Sequence, residues 1–343
     1  MRVGILTSGG DCPGLNAAIR AVARRAERTY GDELIGFHDA WKGVIEERTE
    51  TLDINRCRGI LPRGGTILGT SRVTPYQDPG GLDRVREVTA RLEIDGYLVV
   101  GGNGSLSCAA RLQRDGINCI GLPKTIDNDV AGTDRSFGFD TAVSVATEAI
   151  GRLHTTAEAH DRMLLLEVMG RSAGHIAVHA GLAGGAARIL IPERPFDVAE
   201  TADHIVRRHG SGRQATVVVV AEGAAPIEGT WEVPQYQVDQ FGHRRFGGVA
   251  NLLGPELERR TGIEARVTTL GYVQRGGTPT AYDRVLATRL GVAALDAAHD
   301  GDWGSMVADR GGVIAHVSMA DEVEDRIKLV DAEMMRIIDT MAF

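Results

Sequence analysis

The stretch RVGILTSGGDCPGLNAAIR, at Arg2–Arg20, decides the fold. It opens on a short apolar run, Val3–Leu6, turns on Gly9-Gly10, and passes at Gly14 into a helical pattern that reaches Thr29. Strand, glycine turn and helix in that order make half of a βαβ unit. The pattern recurs outward from it. Strands are expected at Tyr97–Val100, Cys119–Leu122, Met163–Glu167, Ile189–Ile191, Thr216–Val220 and Arg266–Leu270. Helices are expected at Leu82–Leu92, Leu106–Gln113, Thr141–Ala159, Val198–Arg208, Ala281–Ala298 and Ala332–Thr340. The helix from Ala281 sets Val285, Leu286, Leu290, Val292 and Leu295 as an apolar stripe at helical spacing. This alternation predicts a mostly parallel sheet with helices on both faces.

In such sheets ligands sit beyond the carboxyl ends of the strands. The residues just after each apolar run are therefore the ones to read, and nearly every unusual string of the chain falls there: Ser8–Asp11, Gly101–Ser105, Pro123–Asp129, Met169–Arg171, Glu222-Gly223 and Gly271–Gly277. Residues 223–250, rich in Gly, Pro, Gln and aromatics, have no clear period and read as a loop or excursion, with a subunit contact as one place for it.

Bulk numbers narrow the classes. The 343 residues, 43% of them hydrophobic, suffice for two compact lobes or one large α/β domain. A net charge of -8 argues against general binding to nucleic acid or to membrane surfaces, and obliges any anionic substrate to meet local arginines. Cys12, Cys57, Cys108 and Cys119 form no C-x-x-C pair and read as reduced, buried thiols. No leader-like segment precedes the first strand, and no run approaches the roughly 18 apolar residues of a membrane helix, so a cytoplasmic protein is expected.

The glycine turns carry the first chemistry. Gly9-Gly10 before a helix lets backbone N–H groups approach a phosphate, and Gly101-Gly102-Asn103-Gly104-Ser105 repeats the device. Two such turns in one sheet point to a polyphosphate lying across it. Thr125-Ile126-Asp127-Asn128-Asp129 then packs two carboxylates, an amide and a hydroxyl beside Lys124. Two acids two residues apart can divide labour, one taking a hydroxyl proton while the other orients hydrated Mg2+. The same residues also make an ordinary turn; the neighbouring glycine loops favour chemistry. Arg72, Arg162, Arg171, Arg266 and Arg275 flank glycine loops or strand ends, where a planar fork suits phosphate oxygens. His175 and His179, four apart on an expected helix, lack a third ligand and read as a packed or solvated pair, and Trp41 reads as a packing residue.

Together the strings SGGDCPGLNAAIR (Ser8–Arg20), GGTILGTSR (Gly64–Arg72), GGNGS (Gly101–Ser105), PKTIDNDV (Pro123–Val130), EVMGRSAGH (Glu167–His175), AEG (Ala221–Gly223) and GYVQRGGTPTAYDR (Gly271–Arg284) resemble the 6-phosphofructokinase family. They keep its order and spacing over about the first 285 residues, and the chain is most similar to the family's mixed-substrate group III. The resemblance implies two doubly wound, Rossmann-like lobes with mostly parallel sheets and an active site in the cleft between them. Residues 1–138 with about 275–325 would bind the donor, 139–274 would bind fructose 6-phosphate, and about 326–343 would form a helical extension. It implies transfer from ATP, with Mg2+, to fructose 6-phosphate in glycolysis.

Carried over by position, Gly10, Arg72, Gly102, Asn103, Gly104 and Ser105 would hold the donor, Asn103 and Asp129 the metal. Asp127 would be the base, Thr125 would orient the transferred group, and Arg72 and Arg171 would stabilise its charge. Thr125, Ile126, Asp127, Met169, Gly170, Arg171, Glu222, Tyr272 and Arg275 would bind the sugar phosphate. Arg162 and Arg266 would do so in a neighbouring subunit, which implies a homodimer or homotetramer.

Three departures matter: Asn103 where many members carry an acid, Tyr272 where a histidine is common, and Lys124. Gly104 and Lys124 together bear on the donor. In the family a glycine at the first position leaves room for a nucleotide α-phosphate, whereas lysine at the second occurs in pyrophosphate enzymes and in mixed ATP-using ones. Gly104 decides for ATP, with a reversible pyrophosphate-dependent enzyme as the alternative and a catalytically impaired regulatory homologue behind it.

Overall fold

The computed structural model describes residues 1–212, 215–231 and 247–341. The chain divides into two compact units, Met1–Thr141 with Arg275–Lys328, and Ala142–Gln274 with Leu329–Phe343. The last fifteen residues thus count with the second unit instead of standing apart.

In chain order the elements are β1 (Arg2–Thr7), α1 (Leu15–Arg25), β2 (Glu33–Phe37), α2 (Trp41–Ile45), β3 (Thr49–Thr51), α3 (Gly81–Arg91), β4 (Gly96–Gly101), α4 (Asn103–Arg114), β5 (Cys119–Pro123), α5 (Phe139–His160), β6 (Met163–Val168), α6 (His175–Gly184), β7 (Arg188–Leu190), α7 (Val198–Gly210), β8 (Thr216–Ala221), α8 (Val249–Thr261), β9 (Ala265–Thr269), α9 (Ala281–His299), β10 (Ser305–Arg310), β11 (Val313–Ser318) and α10 (Ala332–Met341).

The first unit is built on a seven-stranded sheet of order β11-β10-β5-β4-β1-β2-β3. The five central strands run parallel, and β3 and β11 close the edges antiparallel. β1 and β4 are buried almost throughout, as strands covered on both faces must be, which is why they read as continuous apolar runs. Connections leave β1 toward β2 on one side while β4 pairs on the other, so the strand order reverses at the β1–β4 pair. That switch point is where open α/β sheets bind ligands. Leu6, Phe37, Trp41, Tyr97, Leu106 and Met306 belong to its core. Trp41 is fully buried against Tyr97, ring centroids 5.3 Å apart, which makes it the packing residue expected.

The second unit has a four-stranded parallel sheet of order β7-β8-β6-β9. Met163, Leu165, Phe196, Val218 and Leu253 belong to the core beneath it. Glu167, 2% exposed near the end of β6, accepts the backbone N–H groups of Gly248 (2.8 Å) and Ala250 (2.9 Å) and so caps α8 with a carboxylate. The segment expected as a loop over 223–250 lies in part, at 232–246, outside the described residues.

Several expectations need correction. Strands β2, β3, β10 and β11 and helices α2 and α8 were not expected. Val285 is 59% exposed and leaves the α9 stripe, whose buried face is Leu286, Leu290, Ala294 and Leu295 with small residues between. Gly291 explains the small residues: a Cβ there would meet the Ala18 carbonyl oxygen at 2.8 Å, so α1 and α9 pack at backbone distance. The helix of the first stretch stops at Arg25, and Ala26–Tyr30 continues as one wider turn ending on left-handed Gly31.

Candidate active site

In the first unit four loops meet around the carboxyl ends of β1, β4 and β5. The first, Ser8–Asp11, is pinned by its backbone: Ser8 N–H donates to Val100 O and Gly9 N–H to Ser71 O, both at 2.9 Å. Gly9 takes φ +85°, a conformation that glycine enters without strain. The second loop, Gly64–Arg72, is held by Asn16 of α1, which accepts from Ile67 N–H (2.9 Å) and donates to Arg63 O (3.1 Å). It brings Ser71 alongside Ser8, and thereby the exposed Arg72 to the same end of the sheet.

The third loop opens α4, with Gly102 as N-cap and Asn103 and Gly104 as its first helical residues. The helix N-terminus presents unsatisfied N–H groups and a positive dipole end, which suits phosphate. Gly104 is exposed, and a Cβ there would meet no atom within 4 Å. Ser105 Oγ donates to Ser8 Oγ at 2.9 Å, joining the two glycine turns.

The fourth loop follows β5. Lys124 is 2% exposed, and its ammonium donates to the carbonyls of Ser8 (2.8 Å) and Gly10. Burial pulls its pKa below the ordinary lysine value. Its charge therefore serves first to hold the Ser8–Gly10 backbone. Asp127 N–H donates to Thr125 Oγ1 (3.1 Å), and left-handed Asn128 (φ 53°) bends the chain between the two acids. Ser136 clamps the bend, its N–H to Asn128 Oδ1 (3.0 Å) and its hydroxyl to Thr125 O (2.8 Å). Asp127 and Asp129 are 4% and 8% exposed, Ile126 fully buried. Asn103 Nδ2 donates to Asp129 O at 3.3 Å, while Asn103 Oδ1 is buried with no hydrogen-bond partner.

Two residues extend this cluster beyond expectation. Arg275 lies against the first loop, donating to Asp11 O (3.2 Å), and a Cβ on Gly10 would come within 2.7 Å of its guanidinium. Lys328 donates its backbone N–H to Asp129 O and its ammonium to the carbonyls of Thr133 and Asp134, all at 2.8 Å. Burial is the main cause that lowers its pKa, to about 8. No motif marks Lys328 in the sequence.

In the second unit the carboxyl ends of β8, β6 and β9, which are neighbours, bring together Glu222, Met169–Arg171 and Tyr272. Glu222 Oε1 accepts from Arg171 N–H (2.9 Å) and Gly170 N–H (3.3 Å), fixing a turn with left-handed Arg171 (φ 54°) and Gly170 at φ 144°. Gln274, fully buried, accepts Met169 N–H at 2.8 Å. Tyr272 is 83% exposed. Arg162 and Arg266 are elsewhere: both pair with Glu264, Arg162 at 2.6 Å, at the amino ends of β6 and β9. Along β6, Arg162 lies seven residue rises from Met169 and Arg266, in register with Leu164, five, roughly 23 and 16 Å along the strands. His175 is buried and His179 Nδ1 donates to its carbonyl at 2.9 Å, and among the described residues no group of three His, Cys, Asp or Glu is placed to hold a metal.

Known proteins resemble the chain in sequence and in fold. Over 332 residues the chain is 53% identical to the ATP-dependent 6-phosphofructokinase 3 of Streptomyces coelicolor, covering 97% of each chain. It is equally identical, over 96% of each chain, to the pyrophosphate--fructose 6-phosphate 1-phosphotransferase of the same organism. The structure of phosphofructokinase from Saccharomyces cerevisiae resembles it with a TM-score of 0.82 at 28% identity, over 99% of this chain and 47% of the yeast chain. The chain thus spans about half the length of that yeast relative. The phosphofructokinase family pattern matches residues 2–298, which carry both glycine turns, the Asp127 loop and the Met169 turn: the chain belongs to the phosphofructokinase family.

Proposed function

We propose that the chain transfers the terminal phosphoryl group of ATP to the 1-hydroxyl of fructose 6-phosphate, with Asp127 as the base. The observation that carries this reading is the meeting of two glycine turns and two buried carboxylates at the strand-order switch of the first sheet. Gly10, Gly102, Gly104 and Ser105 line the donor side, where backbone N–H groups and the α4 N-terminus receive phosphate oxygens. Asp127 takes the proton of the attacking hydroxyl, and Thr125, two residues before it, orients the transferred group. Arg72 and Arg171 meet the charge that spreads over the transferring oxygens.

The donor set also fits Mg2+. Asn103 Oδ1, buried and unpartnered, and the Asp129 carboxylate supply two hard oxygen ligands, about the number a site shared with phosphates and water requires. Asn103 and Asp129 would hold Mg2+, which would supply positive charge against the phosphates of the donor. Because Asn103 is neutral, Asp129 bears the anionic share, and the Asn103 and Lys328 bonds to its carbonyl hold its backbone in place.

Met169, Gly170, Arg171, Ile126, Glu222, Tyr272 and Arg275 would bind the sugar phosphate. Arg162 and Arg266, paired on Glu264 at the other end of their strands, would serve a second copy's acceptor in a homodimer or homotetramer. The four cysteines, all free and buried, fit a cytoplasmic setting, and among the described residues no helix is long and apolar enough to cross a membrane.

Pyrophosphate is the second reading. It is favoured by Lys124 and by the equal likeness to a pyrophosphate-named relative. Open space at Gly104, where a Cβ would meet no atom within 4 Å, supports ATP. Purified protein assayed with each donor tests the choice: turnover with pyrophosphate and none with ATP reverses it. Asp127→Ser is expected to lower kcat at least a thousandfold while fructose 6-phosphate binding stays within a few-fold, as removal of a positioned base does. An active variant removes Asp127 from that role.

A further inference from the structure

In the second unit one buried amide joins two turns proposed above to bind the sugar phosphate. β6 and β9 pair in parallel up to Glu167 and Thr269, and the last rung is Leu270 N–H to Glu167 O at 3.1 Å. One rung further, the ladder that starts with Met163 N–H on Glu264 O would join Met169 N–H to Leu270 O. That carbonyl instead accepts Val273 N–H (3.3 Å), which bends the chain into the 3-10 turn Gly271–Arg275. Met169 N–H finds its acceptor in Gln274 Oε1, at 2.8 Å. A side chain thus continues the ladder where the two strands part.

The groups on either side of this bond are the proposed acceptor ligands. In the Met169 turn the next two N–H groups, of Gly170 and Arg171, go to Glu222, and Ala173 N–H goes to Gly170 O at 3.1 Å. In the turn Gly271–Arg275, Tyr272 and Val273 are exposed, and Gln274 is the buried residue. Its amide is only half satisfied: Oε1 is committed to Met169, while Nε2 is buried with no hydrogen-bond partner. A ladder that simply ran on would satisfy Met169 N–H with Leu270 O and orphan nothing. The observed arrangement leaves a buried donor unmet, at a cost, and in return lets the chain turn at Gly271 while Met169 stays fixed to it.

We propose that Gln274 is a positioning residue for the acceptor, setting the spacing between the Met169 turn and Tyr272 so that both meet one molecule of fructose 6-phosphate. This rests on the acceptor site proposed above and holds whichever donor the chain uses. Gln274 acts through backbone, not on the sugar. Without its bond both turns remain, but neither is fixed to the other, and what falls is affinity for the sugar phosphate.

Gln274→Met keeps the bulk and loses the oxygen, whereas Gln274→Asn keeps a buried amide and falls one methylene short of Met169. Calorimetric titration of the full chain with fructose 6-phosphate, without donor, is expected to give a Kd about tenfold above wild type for both. In steady state KM for fructose 6-phosphate should rise by about the same factor, with kcat within about threefold and donor KM within about twofold, the pattern of lost ground-state binding. Where one variant fails to fold, the other carries the test. Tyr272→Ala supplies a readout that packing alone does not move. Its cost in affinity should be about fivefold in the wild-type background and less than about twofold beside Gln274→Met, because Tyr272 is then already out of place. Wild-type protein that binds no fructose 6-phosphate refutes the acceptor reading itself. Wild-type binding that a folded Gln274 variant preserves, a parallel rise in donor and sugar KM, or an equal cost of Tyr272→Ala in both backgrounds overturns the positioning role and leaves that reading standing.

Discussion

Gly104→Asp separates the donor reading from ordinary damage to the fold. Gly104 is the second residue of α4, it is exposed, and a Cβ would meet nothing within 4 Å. The side chain therefore enters without displacing a neighbour. Replacing a helical glycine recovers about 0.5 kcal/mol of propensity, and an acid in the first turn adds about 0.3–1 kcal/mol against the helix dipole. Stability should hold or rise, with Tm up by about 2 °C for a unit of this size. The donor meets the opposite effect. A carboxylate about 5 Å from a nucleotide α-phosphate, at an effective dielectric near 20, costs about 3 kcal/mol per unit of charge, roughly two hundredfold. Pyrophosphate has no third phosphate and escapes that term. Coupled assays with each donor, beside thermal unfolding, give the comparison. We expect kcat/KM for ATP to fall about two hundredfold while KM for fructose 6-phosphate stays within threefold. A stable variant that keeps its ATP turnover would refute the placing of the nucleotide at Gly104, and a fall in Tm would refute the reading of open space.

Three further outcomes follow from ionisable groups that are buried or half-buried. Lys124→Met leaves the Ser8 and Gly10 carbonyls without their buried donor; it should cost about 2 kcal/mol net, lower Tm by roughly 4–8 °C, and raise KM for the donor more than for the sugar phosphate. Lys328→Met, which removes the ammonium from the Thr133 and Asp134 carbonyls, should raise the Mg2+ concentration for half-maximal activity severalfold with KM for fructose 6-phosphate unchanged; equal shifts in both would argue for general loosening. His204, buried on α7 with Nε2 3.1 Å from Ala187 O, has its pKa lowered by burial, then by the charge of Arg188. The unfolded chain then binds the proton first, so stability is lost as pH falls below about 6.5. His204→Gln should flatten that part of the pH–stability curve, and unfolding midpoints from pH 8 to 5 would test it.

The sheet was legible where burial is two-sided. β1, β4, β5, β6 and β8 are central, and both faces demand apolar residues, so their runs are unbroken. β10 and β11 were missed because polar residues interrupt them: β11 is an edge strand whose exposure rises and falls along its length. The Gly311-Gly312 pair, with φ of 59° and 79°, is the hairpin signal that a search for parallel units passes over. Gly254 and Pro255 likewise break the period of α8, although the chain folds there as a helix. The glycine turns and the Asp127 loop were legible because an α/β sheet puts its ligands where the strands end. Lys328 was not, since it approaches the same loop from some 195 residues away in sequence and carries no motif.

A harder limit concerns charge. The rule that a charged residue at a strand end awaits a ligand treats every such group alike, yet several here are spent on backbone. Lys124 holds two carbonyls of the first glycine turn, Glu222 two N–H groups of the Met169 turn, Glu193 those of Gly174 and Val330, and Glu167 the start of α8. Asp283 accepts the N–H and hydroxyl of Thr141 at the start of α5. Each of these buried or half-buried charges is compensated by dipoles that would otherwise need water, and each bond fixes a loop before any ligand arrives. Loops fixed in advance lose less entropy on binding and keep their N–H groups aimed at the charge that develops in transfer. Sequence spacing locates these groups but cannot say which face backbone and which face substrate, because that depends on turns such as left-handed Arg171 and Asn128 that only the folded chain defines.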